Sequence, residues 1–336
     1  MLDIDLPAPG EDPFVDSAPP FEIFEAGTGH GGLTLHLARA IHGANPPVPP
    51  ALRTALLHAE YVPKRARFAT RDPGEGLPTT STPERPDHNS LILPSEDTVS
   101  AYQAYLPARR AIIQSLDINS DHSRRAHRNI RGFRRGLYAL DTSLHVGTIS
   151  EYIASRFLAQ GDEPFLAHAI LDLPDPFADQ TSVELVTAAL RPDGLLLLFC
   201  PSITQIAEFI QEATRRGLPF VTSRVVELPT NTMDSEPKEG PSNSGGRDWS
   251  IEHTIVSEGP SRKVLTRCRP KVGTLKIVGG GFVGVLQRVK SKDAQADRTA
   301  DILHKLREKA QTDGMESALQ DMNERLSKVG EIETAN

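Results

Sequence analysis

Ten consecutive residues constrain this chain more than any others: Glu25-Ala26-Gly27-Thr28-Gly29-His30-Gly31-Gly32-Leu33-Thr34. They stand between a brief apolar run at 21–25, which reads as a strand, and the segment 33–41, which reads as a helix. Glycines at such a junction let the backbone turn tightly and approach a ligand, and the first turn of the following helix presents N–H groups with no intrahelical partner. A nucleotide-like ligand is the natural occupant.

Beyond this junction the same alternation continues. Further strands are expected at 111–116, 143–146, 165–171 and 194–200, with helices at 123–138, 150–159, 180–190 and 204–216. Short apolar runs alternating with longer helical stretches are the pattern of βαβ units, so the expectation is an α/β domain built on one parallel sheet. With 336 residues the chain has room for one large or two ordinary domains.

Four segments stand outside this scheme. Residues 1–20 are expected to be a disordered or truncated N-terminus, ahead of a domain spanning 21–290. Inside that domain a proline-rich insertion occupies about 43–108, opening with Asn45-Pro46-Pro47-Val48-Pro49-Pro50 where a crossover needs a handful of residues; it is expected to be partly disordered. A polar, glycine-rich loop at about 231–247 separates two apolar strand candidates and is expected to be disordered. From 291 to 336 runs a charged helical tail in which Met315, Leu319, Met322, Leu326 and Val329 recur at spacings of four and three.

Composition excludes several classes. The longest strongly apolar run, 195–200, is far shorter than the roughly 20 residues a membrane-spanning helix needs, so no membrane partner is expected. Cys200 and Cys268 are isolated, which supports neither a disulfide framework nor a structural metal. The first residues carry Asp3, Asp5, Glu11 and Asp12 and no base, the opposite of a targeting peptide.

The glycines alone leave the ligand open. Gly27, Gly29 and Gly32 satisfy the dinucleotide spacing G-x-G-x-x-G, whereas Glu25, Gly27, Gly29 and Gly31 satisfy the acidic E-x-G-x-G-x-G spacing associated with S-adenosylmethionine. A carboxylate just before the loop repels a pyrophosphate and suits the cationic amino-acid end of S-adenosylmethionine. Asp117, closing the second expected strand, is placed to accept hydrogen bonds from the ribose hydroxyls that both cofactors possess. Asp172, in Leu171-Asp172-Leu173-Pro174-Asp175-Pro176, ends the fourth strand and should face the same crevice on a loop stiffened by two prolines. An acid beside a methyl donor suits a ring-nitrogen acceptor, because adenine becomes cationic as its N1 is methylated.

On Glu25 to Thr34, Asp117, His145-Val146-Gly147, Leu171 to Pro176, Phe199-Cys200-Pro201-Ser202 and Gly246-Arg247-Asp248-Trp249, the sequence resembles the catalytic subunits of the tRNA (adenine-N1)-methyltransferases that modify adenine-58 of the T-loop, in their fungal form. The resemblance covers roughly 21–288, without much of the insertion. It implies a Rossmann-like, class I methyltransferase fold lacking the usual N-terminal β domain. It further implies that Glu25, Gly27, Thr28, Gly29, His30, Gly31, Gly32, Asp117, His122, Thr148 and Asp172 hold S-adenosylmethionine, with Asp172 as the catalytic acid. By the same resemblance the partners are tRNA and a homologous non-catalytic subunit in an α2β2 assembly, located in the nucleus or alternatively the mitochondrion. Two positions depart from the pattern: Thr148 stands where the family has an acid, and His122 where some relatives have an arginine.

Charge bears on where tRNA would lie. The total is 37 − 44 = −7, yet Arg124, Arg128, Arg131 and Arg135 are spaced three and four apart and are expected to share one helix face as an RNA-binding patch. Lys64, Arg65 and Arg67, and a third group of Arg262, Lys263, Arg267, Arg269 and Lys271, add to it. A competing reading is a non-catalytic or truncated relative that binds RNA or a complex. An NAD-dependent oxidoreductase is disfavoured because Asp117 lies far beyond the usual spacing of about 20 residues from the glycines.

Overall fold

The computed structural model describes residues 2, 4–12, 18–63, 89–161, 163–177, 179–231, 249–257, 262–270, 278–290, 304 and 308. Strand β1 (Phe21–Ala26) leads through the glycine loop into helix α1 (Gly32–Ile41), whose buried residues Thr34, Leu37, Ala38 and Ile41 follow the spacing of a one-sided helix. The insertion contributes α2 (Pro50–His58), the ribbon strands β2 (Glu60–Pro63) and β3 (Asn89–Ile92), and α3 (Glu96–Tyr105). There follow β4 (Ala111–Asp117), α4 (Ser120–Gly132), β5 (Thr142–Val146), α5 (Ile149–Gln160), β6 (Leu166–Asp172) and α6 (Gln180–Ala189). The last elements are β7 (Leu190–Cys200), α7 (Ile203–Arg215), β8 (Phe220–Asn231), β9 (Trp249–Ser257), β10 (Arg262–Pro270) and β11 (Val278–Arg288).

Seven strands form the central sheet in the order β5-β4-β1-β6-β7-β11-β8. All seven residues of β4 are buried, as befits a strand covered by helices on both faces. Pairings β1–β4, β1–β6, β4–β5 and β6–β7 are parallel, but β11 runs antiparallel to both β7 and β8. The expectation of a wholly parallel sheet is therefore corrected at one strand. The reason is connectivity: β8 and β11 are joined through the antiparallel β9–β10 ribbon and not through a crossover helix. Counted along the chain, the sheet order is 3-2-1-4-5-7-6 with the seventh strand reversed, and this is the Rossmann-like class I methyltransferase fold.

Among the described residues of the N-terminal segment, Leu2, Ile4 and Leu6 pack against the core cluster of Ile23, Leu37, Ile113 and Val285, and Arg110 Nη1 donates to Pro7 O at 3.0 Å. In the insertion, of which residues 64–88 lie outside the described residues, Leu52, Leu56, Tyr102 and Tyr105 pack with Leu140 in a small core beside β5. Tyr61 of β2 stacks on His127 of α4 with ring centroids 4.5 Å apart and shares a 2.6 Å hydrogen bond with Ser123. Burial there pushes the His127 imidazole down to about 4, so it is neutral at pH 7.

Helix α4 also ends earlier than its arginine-rich sequence predicts. It stops at Gly132, and Arg134, Arg135 and Gly136 adopt left-handed φ angles of 46°, 55° and 66°. Arg53 of the insertion fixes this turn by donating to Arg134 O at 2.8 Å and Arg135 O at 3.1 Å. Of the expected loop at about 231–247, Asn231 ends β8 and the rest lies outside the described residues, as does the tail at 291–336 apart from His304 and Glu308.

Beneath the sheet, Glu22 receives both Arg156 Nη2, at 2.9 Å to each oxygen, and Gln114 Nε2 at 2.9 Å. Gln114 in turn meets His145 at 2.8 Å, and Arg156 Nη1 donates to the Tyr152 hydroxyl at 2.8 Å. Charges this deeply buried are tolerated because they are paired and hydrogen-bonded.

Candidate active site

The C-terminal ends of β1, β4 and β6 bring Glu25, Asp117 and Asp172 to one end of the sheet, the end at which open α/β sheets take ligands. Gly27, Gly29 and Gly31 bend the loop between β1 and α1 with φ of 100°, 54° and 81°, a region that side-chain-bearing residues disfavour. The loop hangs on the neighbouring strand, since Gly27 N and Thr28 N both donate to Leu116 O, at 2.8 and 3.2 Å.

Below the loop, Glu25 is fully buried. Ser115 Oγ donates to Glu25 Oε2 at 2.7 Å and Thr34 Oγ1 does so at 2.6 Å. With the Ser115 proton so committed, the 2.7 Å contact between Thr28 and Ser115 is donated by Thr28. Glu25 Oε1 has no hydrogen-bond partner among the described residues. Burial raises the Glu25 carboxyl to about 7 against the opposing pull of these hydroxyls, and the charges of Asp172 and Asp117 add to the rise. Thr34 and Ser115 are the partners that sequence reading missed; a hydroxyl on the buried face of α1 was the available signal for the first.

Asp117 is 8% exposed and already orders the loop. Its Oδ2 accepts from Gly29 N at 2.9 Å, its Oδ1 from Asn119 N at 2.9 Å, and His122 Nδ1 stands 3.2 Å from Oδ2. His122 and Asp117 are therefore neighbours, as their assignment to one ligand requires. Gly31 lies where a β-carbon would be 3.1 Å from Ala126 Cβ, so α4 packs directly on the loop, and Asn129 Nδ2 donates to His30 O at 2.8 Å. The His30 ring folds over Gly32.

Thr148 has a different local duty. It begins α5, its hydroxyl accepting from Glu151 N at 3.2 Å while its own N–H donates to Glu151 Oε2 at 2.9 Å, a closed capping box. Asp172 ends β6 with its side chain exposed to the crevice, yet the surrounding protein strips enough water to raise its carboxyl above the usual range.

Of the four arginines expected on one helix face, Arg124, Arg128 and Arg131 lie on α4 and Arg135 does not. Arg124 pairs with Asp121 at 2.7 Å, Arg128 is exposed, and Arg131 is half-buried with Nη1 donating to Ala59 O at 2.9 Å. Arg135 lies beyond the helix end in the left-handed turn. Lys64, Arg65, Arg67 and Lys271 fall outside the described residues, while Arg262, Lys263, Arg267 and Arg269 belong to β10. Among the described residues no group of acids, histidines and cysteines is arranged to hold a metal, and no helix is long and apolar enough to cross a membrane.

Among curated proteins, the chain is 24% identical over 242 residues to tRNA (adenine(58)-N(1))-methyltransferase TrmI from each of two strains of Thermus thermophilus. The match takes in 72% of this chain and 57% of the relative, so it spans little more than half the relative's length. A solved S-adenosylmethionine-dependent O-methyltransferase from Thermotoga maritima is 14% identical, covering 84% of this chain and 64% of its own, with a TM-score of 0.38. No family model matches the chain.

Proposed function

We propose that this protein transfers the methyl group of S-adenosylmethionine to N1 of adenine-58 in the T-loop of tRNA. The observation that carries the proposal is the convergence at one sheet end of three positive-φ glycines, a buried Glu25 with an unmet acceptor, Asp117 bonded to the loop, and Asp172. The likeness to TrmI, whose name states that reaction, supports the choice of acceptor.

The residues present suit the cofactor. The unmet Glu25 Oε1 is an acceptor for its cationic amino-acid end, and the Asp117 carboxylate retains lone pairs for ribose hydroxyls. Gly27 to Gly32 let the backbone come close, and His30, His122 and Thr148 are proposed to complete the site. S-adenosylmethionine supplies an electrophilic methyl group. Asp172 accepts a hydrogen bond from the exocyclic amino group of adenine and offsets the positive charge that grows on the base as N1 is alkylated, an effect strengthened where water is excluded. No covalent enzyme intermediate is needed.

On their charge and helical spacing we propose Arg124, Arg128, Arg131 and Arg135 as tRNA contacts, and on the resemblance a homologous non-catalytic partner subunit and a nuclear location, with the mitochondrion as the alternative. A second reading, a relative that keeps the fold to bind RNA or a complex, is favoured by Thr148, whose hydroxyl is committed to its own helix. Calorimetric titration with S-adenosylmethionine, S-adenosylhomocysteine and NAD tests the primary reading. Micromolar binding of the first two and none of NAD supports it; a folded chain that binds none overturns it.

A further inference from the structure

Two helices beside the crevice start with the S/T-x-x-E/Q spelling of a capping box. At α5 the box closes, with Glu151 reaching back to Thr148 N. At α7 the same spelling is Ser202-Ile203-Thr204-Gln205, and Ser202 Oγ accepts from Thr204 N at 3.3 Å. Gln205, however, is turned away from its own helix. Its Nε2 donates to Pro174 O at 2.8 Å, and its Oε1 is buried with no hydrogen-bond partner among the described residues. Because a carbonyl oxygen can only accept, the amide orientation is fixed by this contact.

Pro174 lies two residues after Asp172, in a loop that two prolines deprive of backbone donors. Within the loop, Asp175 Oδ1 accepts from Phe177 N at 3.0 Å, and Gln205 ties the loop to the body of the protein. The same helical turn grips a second segment. Thr204 Oγ1 donates to Thr266 O at 2.7 Å and Cys268 N donates to Ser202 Oγ at 2.8 Å, both on the edge of β10. The Ser202 proton then goes to Thr204 Oγ1, 2.6 Å away, and every hydroxyl proton of the turn is placed.

A residue kept for packing would be better served by an apolar side chain of this length, since a 4% exposed amide with an unmet acceptor costs stability. A residue kept for the helix would close the box, as Glu151 does. Gln205 does neither. We infer that Gln205 is a positioning residue for Asp172: its amide holds the Pro174 carbonyl and so sets the loop that aims the carboxylate at the acceptor base. The inference rests on the catalytic reading of Asp172 given above.

Gln205→Met keeps the length and removes the donor, while Gln205→Glu, able to close the capping box, serves should the first fail to fold. Amide hydrogen exchange over 173–177, kcat, the KM for tRNA, the cofactor Kd and the unfolding midpoint are measured on the full chain. Exchange in the loop should rise at least about fivefold and kcat fall about tenfold, with KM and Kd within about twofold and the midpoint not lowered. Unchanged loop exchange overturns the inference, as does a joint fall of kcat, cofactor affinity and midpoint. Should the wild type bind S-adenosylmethionine yet methylate no tRNA, the catalytic reading fails, and loop exchange alone decides whether Gln205 holds the Asp172 loop.

Discussion

A β-carbon on Gly27 would stand 2.2 Å from the backbone oxygen of Asp172. The glycine loop and the acid that ends β6, 145 residues apart in the chain, are thus in backbone contact, and one position carries both a steric and a conformational demand. With φ at 100°, Gly27→Ala is strained before the clash is counted. We expect it to lower stability by about 3 kcal/mol or more and to abolish cofactor binding, measured by urea unfolding and calorimetry.

Glu25 makes stability depend on pH. Its carboxyl, raised to about 7 from 4.5, holds its proton more tightly folded than unfolded, so stability should fall as pH rises from about 4.5 to 7 and then level off. The amplitude is of the order of 3 kcal/mol. Gln in place of Glu25 should flatten that slope. A cationic ligand nearby favours the carboxylate, so S-adenosylmethionine affinity should also rise between pH 6 and 8 in the wild type and not in the variant.

His42 works in the opposite sense. Its Nδ1 lies 2.7 Å from Asp141, a hydrogen bond that raises the imidazole above 6.5. The stabilisation is complete below that value and fades as pH climbs through the raised native value. His42→Ala should cost about 1 kcal/mol at pH 6 and less at pH 9, read from unfolding at the two pH values.

Arg156→Ala leaves Glu22 buried with no cation at its oxygens and should cost about 3–5 kcal/mol in urea unfolding, with the cofactor Kd of the remaining folded protein unchanged. A loss below 1 kcal/mol would show that the pair is solvated.

The strand, the glycine loop and α1 were legible because the signals are local: an apolar run, glycines where φ must be positive, and a 3.6-residue spacing of Leu37, Ala38 and Ile41. The reversal of β11 was not, since strand direction is set by a connection through β9 and β10 and leaves no mark on the apolar pattern of β11 itself. The insertion reads as loop because its prolines are local breakers, whereas the helices of its described part are held by packing Leu52, Leu56 and Tyr102 together beside β5. At α4, arginine propensity hid the stop that Gly132 and Gly136 spell out. Within the site, Glu25, Asp117 and Asp172 could be named from strand ends. Ser115 could not, because its partner is decided by the register of β1 against β4, and Thr34 offered only the signal of a hydroxyl on the face α1 buries.

The most direct measurement is methyl transfer from S-adenosylmethionine to an unmodified tRNA transcript by the wild type and by Asp172→Ala, with cofactor binding measured in parallel. The wild type should form 1-methyladenosine at position 58, while Asp172→Ala binds S-adenosylmethionine within about twofold and loses about 100-fold or more in turnover. Equal loss of binding and turnover in the variant, or methylation at wild-type rate, would contradict the role assigned to Asp172.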